Sequence, residues 1–121
     1  MATRKVNSTY SRNEKCIIDC DMTFAVNMLG GRWKLLLLDK LSKGTSRFSD
    51  LKKEFSYMSE RMLTLQLKSM EQDGLIVRHA FAEVPVRVEY SLTEAAIELK
   101  PILALLSAWG NKQKSLLLKE E

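Results

Sequence analysis

The chain has 121 residues, 45% of them apolar, with 5 Gly and 2 Pro. That is enough for one domain with a packed core, hardly enough for two, and too poor in turn formers for a low-complexity or many-stranded chain. The formal net charge of +4 is too small alone to establish a nucleic-acid partner.

The distribution of that charge says more. From Arg32 to Lys53 there are seven basic residues (Arg32, Lys34, Lys40, Lys43, Arg47, Lys52, Lys53) against Asp39 and Asp50, and the first fifteen residues carry four against Glu14. The excess sits in two segments, which fits either a footprint for phosphates or a solvated helix face.

Residues 1–15 are polar and aperiodic, so a flexible arm is expected there, with a single domain over residues 16–121. Cys16 and Cys20 follow in CxxxC spacing. The one histidine, His79, is distant in sequence, so no structural metal and no cofactor are expected. No run approaches the length of a membrane span and no signal-peptide pattern opens the chain; a cytoplasmic location without a membrane partner is the expectation.

Asp21 to Leu29 places Met22, Ala25, Val26 and Leu29 on one face, which predicts a short helix ended by Gly30-Gly31. A second helix is predicted from Arg32 to Leu41, with Trp33, Leu36, Leu37 and Leu41 inward. Leu35 and Leu38 extend its apolar belt, so it either lies central in the core or meets another subunit. Lys43-Gly44-Thr45 is a turn. Phe48, Leu51 and Phe55 then give a third, short helix beginning at Ser46 or Arg47.

Ser56-Tyr57-Met58 links it to the stretch Ser59 to Gly74, SERMLTLQLKSMEQDG. Ser59 suits an N-cap and Gly74 a left-handed stop. Leu63, Leu67 and Met70 form its buried face. A short helix, a tight turn and a longer capped helix make a helix-turn-helix pattern. After Gly74 the period becomes alternating, and two strands are predicted, from Leu75 to about Ala82 and around Val86, Val88 and Tyr90. They make the wing of a winged helix. Thr93 caps a final apolar helix, about residues 93–118, where Pro101 predicts a kink or break and Gly110 offers a stop unless Leu116 to Leu118 prolong the helix. Its apolar surface exceeds one stripe, which points to pairing with a second copy of the chain.

The ordered motifs LGGRWKLLLL (29–38), RFSDLKK (47–53), SERMLTLQLKSMEQDGLIVR (59–78) and EVPVRVEYSLTE (83–94), with Cys20, Pro101 and Trp109-Gly110, resemble the HxlR-type transcriptional regulators. These are a bacterial winged-helix family related in fold to the MarR group, and the resemblance spans roughly residues 20–110. The expected fold is therefore α+β and mostly helical, a winged helix-turn-helix with a two-stranded wing and N- and C-terminal dimerisation helices. The resemblance implies a homodimer joined through its first and last helices, with the Ser59 helix in the major groove of double-stranded DNA and the wing over the flanking minor groove. Residues expected at the dimer interface are Met22, Leu35, Leu38, Ile102, Leu105, Leu106 and Trp109.

On this reading Lys43, Arg47, Lys52 and Lys53 bind phosphates. Ser59, Glu60, Arg61, Thr64, Leu65 and Lys68 approach base edges, with Arg61 suited to a bidentate guanine contact, or else to a surface salt bridge. Leu65 stands where such proteins commonly carry a polar residue; it either meets a thymine methyl or faces inward. Arg87 is the candidate for the minor groove, unless it pairs across the strands with a carboxylate.

In the resembling family a cysteine at the position of Cys20 serves some members as a thiol sensor. Here Cys20 is a candidate redox sensor and Cys16 a candidate resolving partner, with a small apolar residue at the interface as the bland alternative. Asp19 and Asp21 are expected to oppose its thiolate. An enzyme is not indicated: there is one histidine, no phosphate-cradling glycine loop and no acid pair. Two other readings stay open, a winged-helix module that binds protein without DNA, and a regulator controlled by a small-molecule effector between wing and dimer helices. The sequence names neither operator, ligand nor sign of regulation.

Overall fold

The computed structural model describes residues 19–118. The expected arm over residues 1–15 and Cys16 lie outside the described residues. The elements are α1 (Asp21–Leu29), α2 (Arg32–Leu41), β1 (Ser46–Arg47), α3 (Phe48–Glu54), α4 (Glu60–Gln72), β2 (Ile76–Phe81), β3 (Arg87–Leu92), α5 (Glu94–Ile97) and α6 (Lys100–Leu117).

Helix α4 forms where its sequence places it. The Ser59 hydroxyl accepts the Met62 amide at 3.0 Å, satisfying one of the first-turn donors. Leu63, Leu67 and Met70 are buried along one side. The helix ends at Gln72, and Gly74 follows with φ of 77°, a conformation that side-chain-bearing residues rarely adopt. The short helix α3 is fixed by Leu51 in the core and by the Asp50 carboxylate, which accepts the Arg47 amide at 3.4 Å. These apolar faces, with Leu37, Leu38 and Leu41 of α2 and Ile76 and Tyr90 of the sheet, close one core beneath the helix-turn-helix.

The β2–β3 hairpin is the expected wing, paired from Ile76↔Leu92 to Phe81↔Arg87. It is not alone. Ser46 and Arg47 pair with Tyr90 and Glu89, so the sheet has three antiparallel strands in the order β1-β3-β2. A two-residue strand is too short to show alternation, which is why the sequence suggested a two-stranded sheet. Thr93 ties the wing back to α4. Its hydroxyl donates to the Gly74 carbonyl at 2.6 Å while capping α5 at the Ala96 amide.

Two expectations are corrected. Leu38 is fully buried within its own chain and so is withheld from a partner, whereas Leu36, expected inward, is exposed. The buried positions Leu37, Leu38 and Leu41 centre the inner face of α2 one residue later than the spacing alone suggested. Of the two endings the sequence leaves open for the last helix, the longer is found: α6 runs past Gly110 to Leu117. A lone glycine costs only about 1 kcal/mol within a helix, and its helix-forming neighbours Lys112, Gln113 and Lys114 outweigh that. The break at Pro101 is found as expected. The helical run divides into α5 and α6, and Pro101 occupies the first turn of α6, where a missing amide loses no helix bond.

Candidate nucleic-acid interface

Because Leu63, Leu67 and Met70 face the core, the helical period turns Glu60, Arg61, Thr64, Leu65 and Lys68 to solvent, and all five are exposed. Leu65 is 50% exposed, so it faces outward with the polar residues. Ser59 uses its oxygen on the cap and keeps only its hydroxyl proton to offer a ligand. Arg61 makes no ion pair among the described residues.

The cations assigned to phosphates lie around this face. Lys52 and Lys53 are exposed on α3, Arg47 at its start and Lys43 in the preceding turn. Most hold a carboxylate. Lys52 bonds Glu60 at 2.7 Å, joining α3 to the first turn of α4; Lys43 approaches Asp39 at 3.7 Å, and Arg47 approaches Glu89 at 4.0 Å. Such solvent-exposed pairs contribute roughly 0–1 kcal/mol, so a polyanion can displace them.

Arg87 behaves differently. Its Nη1 donates to Glu89 and its Nη2 to Glu83, each at 3.0 Å, and the guanidinium lies 4.0 Å from the Phe81 ring centre. Arg87 is therefore paired with carboxylates, as the alternative to a minor-groove contact held, but with Glu89 of its own strand and Glu83 of the hairpin loop and not across the strands. It braces the loop end of the wing, beside the Phe81 ring, and does not extend from it. The wing tip carries Val84, Pro85 and Val86, all exposed, with no cation among them.

One cation escaped sequence reasoning. Arg78 of β2 lines a cleft of about 640 Å³ between α4 and the wing, together with Arg47, Thr64 and Tyr90. Its signal was the strand alternation, since Arg78 lies two residues beyond the buried Ile76 and so on the same side of β2, toward α4.

Helices α1 and α6 have no buried residue, although together they span 27 residues. Met22 and Val26 on α1, and Ile102, Leu105, Leu106 and Trp109 on α6, are all exposed. Leu35 is half-buried beside them in sequence order on α2.

Cys20 occupies the N-cap position of α1 and is exposed. Its thiol is held below the usual range, first by the Thr23 hydroxyl and then by the Thr23 amide, against an opposing effect of burial, with the Met22 amide adding least. The opposition expected from Asp19 and Asp21 is not among the causes of this shift. The amides favour a thiolate although they fall short of a full capping hydrogen bond.

Among the described residues no group of three or more His, Cys, Asp or Glu is placed to hold a metal ion, and no helix is long and apolar enough to cross a membrane.

The HxlR-like helix-turn-helix family profile matches residues 28–116. The chain belongs to the HxlR family. It is 38% identical over 121 residues to the HTH-type transcriptional regulator YdeP of Bacillus subtilis, covering all of this chain and 93% of that protein. Among solved structures, the redox regulator HypR in its reduced form superposes with a TM-score of 0.77 at 36% identity, covering 81% of this chain and 97% of HypR. The reduced form of the transcriptional regulator YodB from B. subtilis gives 0.71 at 29% identity, over 84% of this chain and 98% of YodB. This HxlR-family chain is thus a transcriptional regulator with a helix-turn-helix domain and a winged-helix fold, and not an enzyme.

Proposed function

We propose that this HxlR-family regulator acts in the cytoplasm as a homodimer that binds a double-stranded operator, reading sequence with α4 and holding the duplex with the cations around α3. The observation that carries this reading is the division of α4. Leu63, Leu67 and Met70 anchor it, and Arg61, Thr64, Leu65 and Lys68 stand outward on a rigid, capped helix. Glu60 works with Lys52: the pair holds the two helices in register until a phosphate replaces the carboxylate. Arg87 stiffens the wing so that its backbone and tip lie over the minor groove.

Titrating salt in a mobility-shift experiment on the region upstream of its own gene tests this reading. Observed affinity is expected to fall steeply and linearly in log–log form, because bound phosphates release counterions. Lys52→Ala is expected to weaken all sequences alike and to lower the salt slope by about one. A chain that shifts no duplex at low salt, yet captures protein, would be a protein-binding winged helix.

The dimer supplies a place for Cys20 as well. α1, which Cys20 caps, is one of the two helices with unpartnered apolar surface, so movement there is coupled to the spacing of the two reading helices. Two Cys20 thiols, one from each protomer, lose two protons and two electrons to an oxidant such as diamide and form one S–S bond. HypR has been solved in reduced and oxidised forms, and at 36% identity it supports a thiol role here. Cys20→Ser is expected to retain operator binding after diamide treatment, whereas the wild-type protein loses it. Because hydrogen bonding from Thr23 depresses the thiol, Thr23→Ala is expected to move the pH dependence of Cys20 alkylation upward. If the Cys20→Ser protein loses DNA binding to diamide as readily as wild type, sensing does not run through this residue.

A further inference from the structure

We infer that the cleft between α4 and the wing is a phosphodiester seat, in which Arg78 and Tyr90 join Arg47 in gripping the strand that separates the two grooves. The inference rests on the DNA-binding reading above and names residues which that reading leaves unused. Adjacent major and minor grooves are divided by a single sugar–phosphate strand. A protein with one helix in the first groove and a wing over the second must let that strand pass between helix and wing. The space between them is here an open cleft of about 640 Å³.

Its lining fits a phosphate. Arg47 and Arg78 supply guanidinium groups, and Ser49 and Thr64 supply hydroxyls. Arg78 also borders the neighbouring cleft beside Thr64 and Lys68, so it stands at the edge of the reading helix. Tyr90 is the second, independent observation. The residue is only 7% exposed and lines both clefts, and its hydroxyl is not among the buried unpartnered polar atoms, so it opens to the cleft. A tyrosine hydroxyl that opens into a cation-lined cleft can donate to a phosphate oxygen. The one carboxylate lining the larger cleft, Glu83, is already neutralised by Arg87 at 3.0 Å, and Glu71 lines the neighbouring cleft beside Lys68 and Arg78.

The test compares Arg78→Ala and Tyr90→Phe with wild type in salt-titrated operator binding, with thermal melting as a fold control. Arg78→Ala is expected to lose on the order of tenfold in affinity and about one unit of salt slope, on specific and non-specific duplexes alike. Tyr90→Phe removes one oxygen and keeps the packing; it is expected to lose a few-fold in affinity with an unchanged slope. Both variants are expected to melt like wild type. If wild type and Lys52→Ala behave as DNA binders while Arg78→Ala and Tyr90→Phe match wild type, the seat is overturned and the parent reading stands. If wild type itself shows no salt-dependent duplex binding, the parent reading has failed instead. A cleft that holds a small free anion in place of the backbone gives unchanged duplex binding in both variants, which also overturns the seat.

Discussion

Introducing glutamates at both Leu105 and Trp109 is expected to leave a folded monomer that binds its operator at least about a hundredfold more weakly than wild type. The two side chains are 72% and 62% exposed, and at i and i+4 they stand one above the other on the same face of α6. Neither contributes to the core of its own chain, so the substitution has little fold to disturb. In an isologous contact the same patch faces itself, so four new carboxylates are brought together across the two-fold axis, where burial and like charge both oppose association. Two linked heads bind adjacent half-sites with an effective concentration that a lone head lacks, and this is where the large loss arises. Sedimentation velocity reads the mass, and a mobility shift with one and two half-sites reads the affinity. A variant that remains dimeric would move the interface away from this face of α6. A monomer that keeps wild-type affinity would show that one head suffices.

The parts of the fold carried by local patterns were legible from the residues. Ser59, Thr93 and Gly74 mark helix ends by hydrogen-bonding capacity or backbone freedom, and each is found in that role. The α4 face followed from a regular spacing with polar residues between. Helix α2 was harder, because a run of four leucines is apolar on every side and gives the period nothing to lock onto. Which leucine faces inward is then decided by tertiary contacts, and Leu38 won over Leu36. Strand β1 was invisible for the opposite reason, since two residues carry no period at all.

The site shows the same division. Exposure of the reading residues follows from helix geometry alone. The fate of a cation depends on which carboxylate folding brings near it, and no spacing rule states that. Arg87 lies four residues from Glu83 and two from Glu89, and the hairpin closes both onto it. Arg78, on the partner strand, is left in the cleft. Position in the wing pointed to Arg87, the arginine nearer the tip; the carboxylates around it leave Arg78 as the one open to the cleft.

Arg61→Ala is expected to cost roughly 1–3 kcal/mol of operator affinity and to relax specificity at a single base pair. Arg61 lies in the first turn of α4, exposed, with no ion pair among the described residues, so its guanidinium is available to a ligand. Its neighbour Glu60 is held by Lys52 at 2.7 Å, which leaves Arg61 as the cation of that turn turned toward solvent. A guanidinium presents two parallel donors to the O6 and N7 of guanine, which a lysine ammonium does not reproduce. Arg61→Lys is therefore expected to recover salt-dependent binding but not discrimination. Binding to a panel of operators, each changed at one base pair, separates this role from that of Lys52. Loss through Arg61 concentrates at one position, whereas loss through Lys52 is uniform across the panel. If Arg61→Ala binds every operator with wild-type affinity at physiological salt, the reading surface lies elsewhere, and Leu65 and Lys68 on the next turn of α4 become the residues to test.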